Sequence, residues 1–226
     1  MAEHSHIAWT DDTWNPWRGC TKVSPGCANC YAEKLVTGKM RGQWGAGAPR
    51  IRSKTTFEDP LKWNKRPVIC DACGSPTDST GDCDCGAIGA TGTGIHRRRV
   101  FSLSLGDWLD SEVPIEWLAD MLDVIRRCSN LDFLLLTKRP ELWNDRLTEL
   151  QDTFPRSATI PMETVDWVNA WQDNRPPANV WVGVSVENQA MADFRIPQLL
   201  RIRAAVRFLS VEPLLESVDL NLFFYP

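Results

Sequence analysis

The chain has 226 residues, of which 43% are hydrophobic, and this is enough to bury one sizeable core and predicts one main domain. A formal net charge of -4 argues against a uniformly basic surface for nucleic acid, although a local basic groove could still exist. No apolar run approaches the roughly 20 residues that span a bilayer, and residues 1–6 do not resemble a signal peptide, so we expect a cytoplasmic protein.

Seven of the eight cysteines fall in two tight groups, which in a reducing cytosol indicates metal binding rather than disulfides. The first group is Cys20, Cys27 and Cys30, and the second is Cys70, Cys73, Cys83 and Cys85. Cys128 stands alone among apolar residues at helical spacing. We predict that Cys128 is a small buried hydrophobic side chain.

The segment from residue 9 to residue 30 is rich in turn residues and predicts a short extended stretch followed by a structured loop. Apolar residues recur at helical spacing from residue 28 to about residue 40, so Cys30 should lie where a helix begins. Backbone N–H groups and the helix dipole favour a thiolate at such a position.

The number of cysteines in this loop, three, helps to distinguish between two kinds of metal site. Structural zinc normally has four protein ligands, whereas a four-iron cluster held by three cysteines keeps one iron open for a substrate or cofactor. We therefore predict a 4Fe–4S cluster on Cys20, Cys27 and Cys30. The alternative is a structural zinc ion whose fourth ligand is Cys128 or a histidine.

Residues 43–98 show little regular pattern and predict an irregular insertion that is stapled by its own metal ion. The second cysteine group lies on two short turns, each followed by glycine, which is typical of a structural zinc site. A second iron–sulfur cluster is the alternative. The run Arg97, Arg98 and Arg99 adds positive charge that could contact nucleic acid or simply face solvent.

The rest of the chain alternates strand and helix patterns, which predicts parallel βα units. We expect strands at 99–105, 131–137, 179–185 and 206–211 and helices at 114–127, 140–150 and 189–202. Residues 151–177 look less regular.

Polar residues follow each of these predicted strands. Because the carboxyl ends of parallel strands form the active-site rim of α/β proteins, we predict one shared pocket, with ordinary helix capping as the alternative. The rim residues are Ser104, Asp107, Thr137, Lys138, Arg139, Ser185, Glu187, Ser210 and Glu212.

The segment TWNPWRGCTKVSPGCANCYAE (residues 13–33) resembles the signature of a phage-associated family of unknown function with a three-cysteine motif. The segments LLLTKRP (134–140), VGVSVE (182–187) and RFLSVEPLL (207–215) are similar to the same family. That family in turn resembles the radical S-adenosylmethionine (SAM) superfamily, particularly the branch that contains spore photoproduct lyase. The superfamily's usual motif is Cys-x3-Cys-x2-Cys, whereas the first gap here is six residues and no Gly-Gly-Glu element follows the first helix.

The resemblance implies a partial (β/α) barrel of radical SAM type, formed by residues 1–42 and 99–226, with the zinc-binding insertion at 43–98. It also implies that SAM binds the open iron and is cleaved reductively to a 5′-deoxyadenosyl radical, which abstracts hydrogen from a substrate. The implied SAM contacts are Tyr31 near the adenine, Lys138 at the carboxylate, and Ser104, Asp107, Ser185 and Glu187 at the ribose or amino group. The implied catalytic residues are Lys138, Glu187 and Glu212.

The resemblance thus implies a phage-encoded radical SAM-like enzyme in the host cytoplasm that modifies or repairs a nucleic acid or nucleotide. Its expected partners are that substrate, a reductant for the cluster and, because members of the phage family continue beyond the last strand, a second chain that could complete the barrel. The alternatives are a non-enzymatic zinc-binding phage protein that binds nucleic acid or a protein partner, and a cluster-binding regulator or electron carrier without SAM.

Overall fold

The computed structural model describes residues 5–78, 83–86, 94–153 and 160–224. Its main sheet has five strands that are all parallel and follow the order of the chain: β1, β7, β8, β9 and β10. They are β1 (Asp12–Trp14), β7 (Arg99–Ser102), β8 (Asp132–Thr137), β9 (Val180–Ser185) and β10 (Val206–Ser210). The four strands predicted after residue 98 are thus confirmed, each slightly shorter than expected.

Four helices connect or follow these strands, and none of the described helices is long and apolar enough to cross a lipid bilayer. They are α3 (Ile115–Arg127), α4 (Trp143–Thr153, after a 3-10 turn at Pro140–Leu142), α5 (Met162–Gln172) and α6 (Gln189–Arg201). Three of them confirm the predicted helices. The first predicted helix is present as α1 (Tyr31–Lys34), which continues as a π-helical turn over Leu35–Lys39.

The expectation that residues 151–177 are less regular was wrong for α5. This helix buries Val165, Val168 and Trp171, which recur every third residue, against the main core. Its polar and β-branched residues give it modest intrinsic helix propensity, so packing rather than propensity stabilises it. Residues 154–159 lie outside the described residues.

All four helices pack on the same face of the sheet. That face carries Val100, Phe133, Leu135, Val182 and Val184, which form the core together with apolar residues of the four helices. Strands in chain order joined by right-handed crossovers place every helix on one side. The opposite face carries Phe101, Leu134, Trp181 and Phe208 and is partly covered by Trp9, whose ring centroid lies 4.7 Å from that of Phe101. We call this opposite side the open face.

Gly183 lies in the middle of the open face, between Leu136 on β8 and Phe208 on β10. A Cβ atom at this position would lie 2.5 Å from ring atoms of Phe208, so only glycine lets that ring lie across β9. We expect Gly183→Val to lower the free energy of unfolding by about 1–3 kcal/mol through overpacking, as measured by urea unfolding. In a Phe208→Ala background the cost should fall, because the clash is gone; an equal cost in both backgrounds would contradict this packing.

Residues 43–98 contain more regular structure than expected. The strand β2 (Trp17–Arg18) pairs with β3 (Ile51–Arg52), α2 spans Asp59–Trp63, and a small antiparallel sheet has the order β5, β4, β6. The strands of this sheet are β4 (Val68–Cys70), β5 (Pro76–Thr77) and β6 (Ile95–Arg97).

Part of this stretch belongs to the main core. Phe57 and Trp63 pack there, and the indole N–H of Trp14 donates a hydrogen bond to the carbonyl of Phe57 at 3.1 Å. The second cysteine group lies within this stretch, and its first member, Cys70, is the last residue of β4. The division into domains at residues 42/43 and 98/99 stays a prediction.

Candidate metal centres

The three-cysteine loop lies across the carboxyl edge of the main sheet. The backbone N–H of Gly19 donates to the carbonyl of Leu105 (3.0 Å), and the hydroxyl of Tyr31 donates to the carbonyl of Ser104 (2.6 Å). Arg139 and Glu187, which follow β8 and β9, contact the loop between these points. The structure thus brings the loop together with the ends of three strands, β7, β8 and β9.

Arg139 holds the Cys20 end of the loop. Its two terminal guanidinium nitrogens lie 3.4 and 3.5 Å from Cys20 Sγ, and one of them donates to the carbonyl of Thr21 at 2.7 Å. Burial raises the pKa of Cys20 to about 12, and the charge of Asp107 adds to this increase while Arg139 opposes it. A metal would therefore have to displace a proton from this thiol.

Asp107 organises the rim beneath Cys20. Its carboxylate accepts hydrogen bonds from the hydroxyl of Thr137 (2.8 Å) and the backbone N–H of Lys138 (2.9 Å), and it pairs with Arg139 (3.0 Å). The side chain is buried. Asp107 was predicted to contact SAM, but in the folded protein its oxygens already bind protein groups.

Glu187 holds the other half of the loop. It is 0% exposed, and one carboxylate oxygen accepts hydrogen bonds from the Ser24 hydroxyl and from the backbone N–H of Gly26 (3.2 Å). The other oxygen pairs with Arg195 at 2.7 Å, and Arg195 also donates to the carbonyl of Ser185 at 2.9 Å. A Cβ atom at position 26 would lie 2.9 Å from the Glu187 carboxyl carbon, so this close approach requires glycine.

The remaining predicted rim residues differ in their surroundings. Lys138 Nζ donates to the hydroxyl of buried Ser185 at 2.8 Å, and the hydroxyl of Ser104 accepts a hydrogen bond from Asn15 at 3.0 Å. Tyr31 is 58% exposed beside the loop. Glu212 follows β10 and is exposed to solvent.

The sequence analysis did not predict Arg195 as the charged partner of Glu187. It lies on the buried side of α6, beside Ala192, Ile196 and Leu199, where an arginine is not expected. A charge in an apolar helical stripe needs a partner, and this irregularity was the available signal. The pairing of buried Arg50 with Asp110 (2.8 Å) was missed as well.

Cys128 does not supply a fourth ligand to the loop. It is fully buried at the end of α3 and lies just before the amino end of β8, at the opposite edge of the sheet from Cys20. Its prediction as a buried small side chain is confirmed. A zinc ion completed by Cys128 is therefore not compatible with the fold.

The second cysteine group is a compact four-sulfur cluster that could bind a metal ion. The sulfur atoms of Cys70, Cys73, Cys83 and Cys85 all lie within 4.8 Å of one another. Two sulfur pairs are 3.8 Å (Cys70–Cys85) and 3.4 Å (Cys73–Cys83) apart. Sulfurs about 2.3 Å from one tetrahedral ion lie about 3.8 Å apart, so the spacing fits a single metal ion.

The four thiols share protons unequally. Hydrogen bonds from the side chain and backbone of Ser75 lower the pKa of Cys73 to about 6. Although the backbone N–H of Cys85 lowers it, neighbouring thiols raise the pKa of Cys83 to about 12. The cluster therefore combines a ready thiolate with a proton that a bound cation would displace.

The four-sulfur cluster is tied to the main sheet through His96. One ring nitrogen of His96 lies 2.6 Å from the carboxylate of Asp71, and the other lies 3.0 Å from Asp11, next to β1. Asp11 also accepts the backbone N–H of Arg99 at 2.7 Å. A metal ion at this cluster would thus stabilise the start of the strand that leads to the three-cysteine loop.

The basic run does not form an open cationic surface. Arg98 is buried and pairs with Asp12 on β1, while Arg97 pairs with Asp132 at 3.0 Å. Arg99 pairs with Asp11 at 3.4 Å. Each arginine pairs with a carboxylate of this chain, and Arg97 is nevertheless exposed to solvent; a nucleic-acid contact of the run stays a prediction.

Among the described residues, the four-sulfur cluster is the one group of potential ligands packed closely enough for a single ion. Cys20, Cys27 and Cys30 are spread more widely.

Comparison with known proteins identifies the family to which the chain belongs. No curated protein and no solved structure matches the chain. A family model described as "Protein of unknown function (DUF5131)" matches residues 4–224, which include both cysteine groups. The expectation of a family of unknown function is confirmed, whereas the association with phages and with radical SAM proteins stays a prediction. The chain belongs to this family of proteins of unknown function.

Proposed function

We propose that the protein is a radical SAM-like iron–sulfur enzyme that modifies or repairs a nucleotide or nucleic acid. One observation carries the proposal: a loop with three cysteines is clamped to the carboxyl edge of a parallel sheet, next to an open face. Strands in chain order with all helices on one side are what a partial (β/α) barrel requires, and active sites of such barrels lie at this edge.

The residues of the loop fit a 4Fe–4S cluster. The loop supplies three thiols and is anchored on both sides, at Cys20 by Arg139 and at Gly26 by Glu187. Lys138 adds positive charge, which would offset part of the negative charge of a thiolate-bound cluster, and Arg139, although paired with Asp107, donates hydrogen bonds to Cys20. Three cysteine ligands would leave one iron available for SAM.

The rim residues then divide into two kinds. Reductive cleavage of SAM at the open iron would supply a 5′-deoxyadenosyl radical that takes hydrogen from the substrate. Lys138, held towards Ser185, would bind the SAM carboxylate, and the exposed ring of Tyr31 would pack against the adenine. Asp107 and Glu187 would position the loop instead of contacting SAM, because their oxygens bind protein groups.

The open face supports a flat, partly apolar substrate. Trp9, Leu136, Trp181 and Phe208 are partly exposed there, and Gly183 allows the Phe208 ring to lie across the sheet. Aromatic side chains of this kind stack on nucleobases. This is the support for a nucleotide or nucleic acid as substrate.

Anaerobic purification tests the cluster directly. We expect a brown protein with a broad absorption band that bleaches on reduction and with about four iron and four sulfide per chain. The double substitution Cys27→Ala and Cys30→Ala should abolish the iron, whereas Cys128→Ala should keep it, because Cys128 lies at the opposite edge of the sheet. A colourless protein that contains only zinc would contradict the enzyme and favour the second candidate.

The second candidate is a zinc-binding protein without catalytic activity that binds nucleic acid or a protein partner. The spacing of the four-sulfur cluster is its support, and we propose that this cluster binds zinc in either case. Elemental analysis of the same sample decides between the two, since the enzyme requires iron together with zinc.

A further inference from the structure

Cys20 differs from the other two cysteines of the loop in the groups around its sulfur. Two guanidinium nitrogens of Arg139 lie 3.4 and 3.5 Å from Cys20 Sγ. Cys27 Sγ instead lies 3.8 Å from the neutral hydroxyl of Ser24. Lys22 interacts through its charge with Cys27 and Cys30 and pairs with Glu33 at 2.7 Å. Among the hydrogen bonds of the described residues, Cys20 Sγ is thus the loop sulfur that is bound by a cationic donor.

Arg139 cannot easily turn away from this sulfur. Its side chain is 5% exposed and pairs with Asp107 at 3.0 Å, while the same guanidinium donates to the carbonyl of Thr21 at 2.7 Å. Asp110 lies 4.0 Å from it. Leaving this position would deprive the buried carboxylate of Asp107 of its arginine partner, which is costly in a medium of low dielectric constant.

A second buried arginine, Arg50, binds the same groups that surround Arg139. Arg50 pairs with Asp110 at 2.8 Å and donates to the hydroxyl of Thr21 at 2.8 Å. Thr21 directly follows Cys20, so its carbonyl is bound by Arg139 and its hydroxyl by Arg50. The direction of the Arg139 guanidinium relative to Cys20 is therefore determined by Asp107, Asp110 and the carbonyl of Thr21 as well as by the sulfur.

We infer that Arg139 raises the reduction potential of a cluster on the three cysteines by donating two charge-assisted hydrogen bonds to Cys20, an inference that rests on the proposed function. One-electron reduction adds negative charge to the irons and their sulfur ligands, and no covalent bond forms or breaks. A fixed positive charge and N–H donors at one thiolate stabilise this reduced state. Arg139 acts through Cys20 and is a positioning residue.

The test is a redox titration of the reconstituted full chain with dithionite as the electron donor, followed by electron paramagnetic resonance. Arg139→Gln and Arg139→Lys should each shift the midpoint potential to more negative values. Arg146→Gln is the matched control, because Arg146 is a buried arginine that binds Glu149 and the carbonyl of Val113 and no sulfur. Its potential should equal that of the unaltered protein.

A second measurement tests the contact between Arg139 and Cys20 without any substitution. Protein grown with ¹⁵N-labelled arginine should show a nitrogen hyperfine coupling to the reduced cluster, because the guanidinium lies against a ligand sulfur. A cluster that assembles but shows neither this coupling nor a shifted potential in the variants would overturn the role of Arg139 alone. Failure of the unaltered protein to bind any cluster would overturn the proposed function and this inference with it.

Discussion

Glu187→Gln should lower the free energy of unfolding by about 3–5 kcal/mol, because it leaves the buried Arg195 without a charged partner. The same change weakens the hydrogen bonds from Ser24 and Gly26, so the three-cysteine loop should detach from the sheet edge. Urea unfolding measures the first effect, and faster alkylation of Cys27 measures the second.

Glu212→Gln is the matched control for Glu187→Gln. Glu212 was predicted beside Glu187 as a catalytic carboxylate, but it is exposed, and its replacement should change the free energy of unfolding by no more than about 0.5 kcal/mol. Equal losses from the two substitutions would contradict the anchoring role of Glu187.

The dependence on pH gives a further control for the anchoring role of Glu187. Desolvation raises the pKa of Glu187, but the hydrogen bond from Ser24, the charge of Arg195 and the N–H of Gly26 outweigh it and leave this pKa below its usual value. The contribution of the carboxylate is therefore complete above the ordinary glutamate pKa of about 4.3 and is lost as the pH falls through the lowered pKa. The difference in the free energy of unfolding between the unaltered protein and Glu187→Gln should therefore shrink as the pH falls through the lowered pKa.

Removing the metal ion from the four-sulfur cluster should unfold the small sheet locally. Structural zinc sites contribute apparent binding free energies of about 10–16 kcal/mol at neutral pH, and this sheet has only strands of two or three residues to replace that stabilisation. We expect a chelator, or the double substitution Cys73→Ser and Cys85→Ser, to make the strands β4, β5 and β6 susceptible to proteases. Limited proteolysis with mass spectrometry checks this result.

Asp84→Ala is the control for the four-sulfur cluster. Asp84 lies between two of the cysteines and is exposed, so its loss should leave the bound metal and the protease resistance unchanged. Metal-free protein that resists cleavage as well as the loaded protein would show that the thiols themselves, and not a metal ion, hold the small sheet.

Local patterns in the sequence predicted the elements of the main sheet well. The apolar runs at β8 and β9 have the length of strands buried on both faces, and α3 has a regular apolar stripe with proline at its start. The strand and helix periods depend only on neighbouring residues, so a single sequence displays them. The helix α5 was not predicted, because its stability comes from packing against α3 and α4, which lie elsewhere in the chain.

The partners of the charged residues could not be predicted from local patterns in the sequence. Glu187 and Asp107 were predicted to contact SAM, and in the folded protein their carboxylates bind groups of this chain. Of the three arginines in the basic run, Arg98 is buried against Asp12, whereas Arg97 and Arg99 pair with carboxylates and stay partly exposed to solvent. Whether a carboxylate faces a pocket or a backbone N–H depends on displacements of a few ångströms. No periodicity in the sequence reports these displacements.

By itself, the sequence determined that seven cysteines form two groups, that a parallel α/β sheet follows them, and that polar residues end its strands. Only the tertiary structure decided which thiols lie close enough for one metal ion and which polar residues hold the cysteine loop. The physical reason is the distance along the chain between the partners: Ser24 and Glu187 are separated by 163 positions, and Cys20 and Arg139 by 119. Contacts of this kind form only when the sheet brings its strand ends together.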